Sequence, residues 1–194
     1  MCGTALIVTP GFGVRETLAG AGGRWETRDM ASAQPHTTDT TAGLAPLAGR
    51  LETIAQQLGV KSVLVMRSEP DAMVVAATAG EATQHYTVGA AGKKALDDES
   101  RVPLYCERVV DSDSPVFVRD SREDAAFAGN EDEVEFGLHN YLGLPVHDGS
   151  GRVVGTVCVL DDTAREYTQE ELAQLSALAG EVESLVDSDG SALG

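Results

Sequence analysis

Few side chains in this sequence can do chemistry, and their spacing limits what that chemistry is. Three cysteines stand at positions 2, 106 and 158. Their number is odd and no CxxC or CxxxC pair occurs, so neither a disulfide framework nor a structural zinc site is supported. Cys158 falls inside the apolar run VVGTVCVL, where a cysteine serves as a small buried hydrophobe. Cys106 stands between Tyr105 and Glu107 and either packs in a core or faces a pocket. Neither thiol has an evident basic neighbour to lower its pKa, which argues against a catalytic thiolate. The enzymatic alternative is a thiol-dependent redox activity, in which Cys106 or Cys158 turns over an oxidised small substrate.

The histidines, at 36, 85, 139 and 147, are scattered, and no pair has the spacing of metal ligands on one element. His147 sits at a turn. His139, between Phe136 and Tyr141, is either a surface or hydrogen-bonded histidine or a pocket residue. Gly11–Phe12–Gly13 lacks the third glycine of a dinucleotide fingerprint, and P-loop, HExxH and GxSxG patterns are absent. No cofactor, metal site or catalytic residue is expected. The chain reads as a binding protein, not an enzyme.

The composition says what kind of scaffold must hold these residues. The 194 residues suffice for one domain of ordinary size with a tail. Aromatic residues make up only 5%, so the core must be built from Leu, Val and Ala. Against 14 Lys and Arg stand 31 Asp and Glu, a net charge of −17. Such a surface repels phosphate backbones and anionic bilayers, which excludes nucleic acid and membrane as partners. No apolar run approaches the roughly 18 residues of a membrane span, and MCGTALIVTPG lacks the basic flank of a signal peptide. A reducing cytoplasm is the expected setting.

Residues 1–41 are Gly-, Thr- and Ser-rich without period, which predicts a disordered tail; Met30 is an alternative start. Leu44, Leu47, Leu51, Ile54 and Leu58 then recur at 3–4 spacing, a helix stopped by Gly59, whose stripe packs on its own domain or, being narrow, forms an a/d seam. KSVLVMR (61–67) and MVVAAT (73–78) read as a hairpin about Pro70–Asp71. Tyr86–Val88 reads as a short strand. Val102–Val110 reads as a helix with Pro103 in its first turn, and Val116–Val118 as a strand. Residues 121–140 read as an acidic loop with a short helix. YLGLPV and RVVGTVCVL flank a DGSG turn, the clearest hairpin in the chain. Thr168 and Glu171 form a capping box before Leu172, Leu175, Ala179, Val182 and Val186. Residues 188–194 are expected to fray. This order predicts an α+β domain around an antiparallel sheet.

The stretch 141–182 resembles the C-terminal half of a GAF domain. The matching features are Gly143–Pro145, the Asp148–Gly149 turn, the strand Gly155–Val159, Asp161 or Asp162, Arg165 and the Glu-rich start of the last helix. Cys106, Val109, Val110, Pro115, Val116, Val118 and Asp120 resemble the segment before it. The likeness extends over about 44–187, giving a domain at 42–187. It implies a PAS-like central antiparallel sheet of about six strands flanked by N- and C-terminal helices. Physically, Gly155 marks a bulge or close backbone approach, Pro145 an edge position, and Arg165 a clamp on the Asp161/Asp162 turn.

The family resemblance implies a small-molecule-sensing or signal-transducing regulatory module. The ligand-binding residues it suggests are Tyr105, Cys106, Phe117, Asp120, His139, Tyr141 and Cys158. Which face of 152–160 lines the pocket is open. No cysteine is followed by histidine, so a covalent bilin is not expected. The residue set of cyclic-nucleotide-binding members is missing, and only Lys93, Lys94 and Arg101 cluster as basic groups near a pocket lip. The cysteine surroundings do not resemble those of the free methionine sulfoxide reductases, the enzymes of the family, which remain the redox alternative. A ligand-free scaffold is the other. Kinase phospho-acceptor and ATP-binding segments are absent, so the output is expected on a separate histidine kinase or transcription regulator. A homodimer through helices 44–58 and 168–186 is expected.

Overall fold

An apolar run, VLVM, lies near the centre of a sheet, with strands on both sides. In the computed structural model, which describes residues 37–189, 192 and 193, β2 (Ser62–Ser68) is flanked by β3 (Ala72–Gly80) and β7 (Val153–Asp161). The full order is β1 (Thr37–Thr40), β3, β2, β7, β6 (Asn140–His147), β5 (Val116–Val118), with β4 (Ala91–Lys93) also on β3, and all neighbours antiparallel. This is the expected α+β architecture.

Each strand sends alternate residues to two different layers. On one face, Val63, Val65, Val157 and Val159 meet Leu51, Ile54 and Leu58 of α1 (Ala48–Leu58) and Leu175, Leu178 and Val182 of α4 (Gln169–Asp189). Leu44 and Leu47 join them from a 3-10 turn, Ala42–Leu47. Of the two uses open to the 44–58 stripe, packing on its own domain and a seam between copies, the structure shows the first, and most of the α4 stripe is buried with it. Gly59 ends α1 in the left-handed region (φ 62°). At the start of α4, the Glu171 N–H donates to Thr168 Oγ1 (3.2 Å) and the Thr168 N–H to Glu171 Oε2 (2.7 Å), the capping box read from the sequence.

Gly155 has a close-approach role: a Cβ there would lie 2.1 Å from the Met66 carbonyl oxygen. Pro145 stands two residues beyond Gly143, where β5 ends, so the ladder needs no donor on that side. Arg165 donates to the Leu58 carbonyl (2.7 Å) and pairs with Glu171, whereas Asp161 lies 3.9 Å away. It joins the two helices more than it clamps the Asp161 turn.

The structure corrects four expectations. Residues 37–40 are a strand, paired Thr37↔Gly80 to Thr40↔Ala77; TTDT has no apolar period because its pairing rests on backbone bonds to an open edge. Residues 1–36 of the expected tail, with Met30, lie outside the described residues. The C-terminus does not fray throughout: Ala192 and Leu193 are buried, and Thr41 Oγ1 donates to the Ala192 carbonyl (2.9 Å). Tyr86–Val88 lies in turns, and the strand forms at Ala91–Lys93. Helix α2 (Tyr105–Ser112) begins after Pro103, not around it. Among the described residues, no helix is long and apolar enough to cross a membrane.

Candidate functional site

The second face of the sheet carries longer and more polarisable side chains. Leu64 and Met66 of β2, Met73 and Val75 of β3, Tyr141 of β6, and Cys158 and Leu160 of β7 form one layer with Tyr105, Cys106 and Val109 of α2. The open question about strand 152–160 is thereby answered: Cys158 and Leu160 face this layer, and Val157 and Val159 face the helices α1 and α4. Helix α2 covers only part of it. The rest is roofed by the turn at 81–90 and by α3 (Glu131–Phe136), leaving a cavity of about 220 Å³.

Asn130 sets this roof. Its Oδ1 accepts from the Asp132 N–H (3.0 Å), capping α3, while its Nδ2 donates to the Pro103 carbonyl (2.6 Å) just before α2. Glu107 fixes the other rim. Buried at the start of α2, its carboxylate accepts from the N–H groups of Ala95 (2.9 Å), Leu96 (2.7 Å) and Leu104 (3.1 Å). Those bonds hold Leu96 at φ 51°, a left-handed conformation that a leucine does not adopt freely.

The cavity wall is aromatic and acidic. His85 stacks on Phe136 with centroids 4.7 Å apart, and Tyr86 meets Phe136 edge-on at 5.5 Å. The Tyr86 hydroxyl donates to Asp132 Oδ1 at 2.6 Å. Burial pushes the Asp132 carboxyl up to about 6, against the Tyr86 hydrogen bond and with help from the charges of Glu131 and Glu135. Glu131 lines the cavity beside it.

Cys106 forms part of the same wall. Its Sγ lies 3.6 Å from Cys158 Sγ, and the Tyr141 hydroxyl donates to it at 3.4 Å. These contacts, the Cys158 one first, hold the Cys106 thiol below its usual range, while burial pushes Cys158 up.

Of the residues expected at the site, only Cys106 lines the cavity. Tyr105, Tyr141 and Cys158 are buried behind it, with Tyr105 and Tyr141 stacked at 4.8 Å. Asp120 and His139 lie elsewhere. Asp120 takes a two-pronged contact from Arg122 (2.8 and 2.6 Å), which holds its carboxyl down to about 2, and His139 Nδ1 is 3.5 Å away. Phe117 is on the opposite face, paired with Leu142, and 42% exposed against the edge of Tyr167. The basic cluster is structural: Lys94 Nζ donates to Ser68 Oγ (2.8 Å) and the Glu69 carbonyl (2.6 Å), and Arg101 to the Lys93 carbonyl (3.2 Å). His85, Tyr86, Glu131 and Asp132 are not legible as site residues in the sequence.

The sequence pattern of the GAF domain matches residues 47–186. The chain belongs to the GAF domain family. Solved GAF structures share its fold at low identity. The GAF domain of an Acinetobacter phosphoenolpyruvate-protein phosphotransferase is 12% identical, with a TM-score of 0.57 over 76% of this chain and 84% of that one. The free methionine-R-sulfoxide reductase of Neisseria meningitidis, solved with its substrate, is 15% identical, with a TM-score of 0.57 over 76% and 79%. The red/green cyanobacteriochrome NpR6012g4 is 14% identical, with a TM-score of 0.59 over 76% and 96%. A comparison with curated protein sequences finds no match. GAF membership supports a sensing or regulatory module in general terms, and the cavity lies between its sheet and its α2–α3 cap.

Proposed function

We propose that this GAF protein is a non-enzymatic sensor whose small-molecule ligand occupies the cavity between the sheet and the α2–α3 cap. The observation that carries the reading is the cavity itself, an apolar floor with a few convergent polar groups, the usual make-up of a ligand site. Its volume of about 220 Å³ limits the occupant to a small metabolite. A ligand bridging Leu64 and Met73 to Asp132 and Phe136 would draw the cap onto the sheet. That movement is the signal, passed in the cytoplasm to a separate output protein such as a histidine kinase or a transcription regulator. A homodimer would use the outer faces of α1 and α4, because their leucine stripes are buried.

Native mass spectrometry of protein purified from its own host tests this. A retained small molecule supports the sensor. Bare protein favours the ligand-free scaffold, a competitor to which a volume below the usual range of roughly 300–1,000 Å³ gives some weight. The same spectrum reports whether the chain is a dimer.

A second reading has an observation of its own. Cys106, on the cavity wall, and Cys158, buried behind it, form a close thiol pair, and one structural relative is named as a free methionine-R-sulfoxide reductase. In such an activity the two thiols lose two electrons and two protons to form a disulfide, and the sulfoxide oxygen leaves as water. Turnover of free methionine sulfoxide with a thiol reductant, abolished by Cys106→Ser or Cys158→Ser, would establish it. Absence of turnover in the unaltered protein removes it.

A further inference from the structure

The cavity combines features that a packing defect does not need. Leu64, Met66, Met73, Val75 and Leu160 give it a hydrocarbon floor. Phe136, with His85 stacked on it and Tyr86 against its edge, gives it an aromatic wall. Two carboxylates, Glu131 and Asp132, stand on the same side, and no lysine or arginine is among the lining residues.

Asp132 is the informative group. Among the described residues its side chain has a single donor, the Tyr86 hydroxyl, and no cationic partner. A desolvated carboxylate without a counter-charge is unfavourable, and a charge of opposite sign placed beside it relieves the penalty. The acidic residues complement the N-terminus of α3, and Asp132, half-buried there, also lines the cavity.

The other occupants fit less well. An anion would meet two carboxylates across a poorly solvated space. A neutral apolar molecule would leave Asp132 uncompensated. A metal ion needs several oxygen, nitrogen or sulfur ligands, and among the described residues no group of three His, Cys, Asp or Glu could hold one. An organic cation matches each wall: its charge suits the carboxylates and the aromatic π-systems, and its carbon body suits the floor. The net charge of −17 raises the concentration of cations near the entrance.

We propose that the cavity binds a small organic ammonium, its nitrogen set against Asp132, Glu131 and Phe136 and its apolar body laid on Leu64, Met66 and Met73. This deepens the sensor reading and rests on it.

The test uses the full chain and three probes with one carbon body and different charge: cyclohexylmethylammonium, cyclohexylmethanol and cyclohexanecarboxylate, titrated calorimetrically at pH 7.5. The ammonium is expected to bind at least about tenfold more tightly than the alcohol, and the carboxylate most weakly. Asp132→Asn keeps the shape and still accepts from Tyr86. It is expected to cut the advantage of the ammonium over the alcohol, both measured on the variant, to less than about threefold. Equal affinity for ammonium and alcohol in the unaltered protein, or an ammonium preference that survives Asp132→Asn, overturns the proposal while leaving the cavity a ligand seat. If none of the three binds, the ligand seat falls as well.

Discussion

The thiol of Cys106, carried by the helix that roofs the site, lies 3.6 Å from the thiol of Cys158 in the central strand β7. A disulfide needs its sulfurs about 2.05 Å apart, so a small inward movement of α2 would let the bond form. Mild treatment with a thiol oxidant such as diamide is expected to remove both thiols from alkylation together. The product should be an intramolecular Cys106–Cys158 link found by peptide mapping. Cys158→Ser should leave Cys106 alkylatable and the chain uncrosslinked. Two thiols that stay reactive in the folded protein under oxidant would show that packing holds α2 away from β7.

The carboxyl of Asp132 gives the stability a recognisable pH dependence. Its folded-state pKa, about 6, lies above the unfolded value of 3.8, so between them the folded state binds more protons than the unfolded one. Its contribution is therefore destabilising above pH 6 and fades as pH falls toward 4. Asp132→Asn is expected to stabilise the protein by about 1–3 kcal/mol at pH 7.5 and by much less at pH 4. Asp120 and Asp148, both lowered to about 2 by their arginine and serine partners, act in the opposite sense and lose stabilisation as pH falls below 4. They are common to both proteins and cancel in the difference. Urea denaturation of the pair at the two pH values decides the matter; an equal gap at both would mean that Asp132 titrates normally.

Glu107 is expected to be intolerant of even the isosteric change to glutamine. The two carboxylate oxygens accept three backbone N–H bonds, and an amide would turn its own NH₂ toward at least one of those donors. Glu107→Gln should cost about 1–3 kcal/mol and speed amide exchange at Ala95 and Leu96 ahead of the sheet. Exchange that rises only in step with global unfolding would contradict this placement of the carboxylate.

How legible the molecule is in its sequence depends on the range of each interaction. The Thr168–Glu171 cap and the Gly59 stop are local, and their residue types declare them. The apolar runs of β2, β3, β6 and β7 and the two 3–4 stripes declare a sheet with helices on it. Gly155 announces a close approach, though not that its neighbour is the Met66 carbonyl. The site is different. Tyr86 meets Asp132 across 46 positions and Cys106 meets Cys158 across 52, so only the folded topology brings them together. Phe117 misleads because a three-residue strand has no period to fix its face. Asp120 looks free in sequence, but Arg122 two residues on engages it.

The last expectation concerns the leucine stripe. Read alone, Leu44, Leu47, Leu51, Ile54 and Leu58 suit a seam between two copies, but all are buried within one chain. Leu51 is fully enclosed among α1, α4 and the sheet. Truncation to alanine removes buried methyl and methylene groups and leaves a cavity, for a loss of about 2–5 kcal/mol. A seam residue would act through association, so its loss would depend on protein concentration. Leu51→Ala should instead lower the melting temperature by the same amount at low and high concentration, with the oligomeric state by sedimentation unchanged. A shift that grows on dilution, with dissociation of a dimer, would return the stripe to the interface and require α1 to leave the sheet.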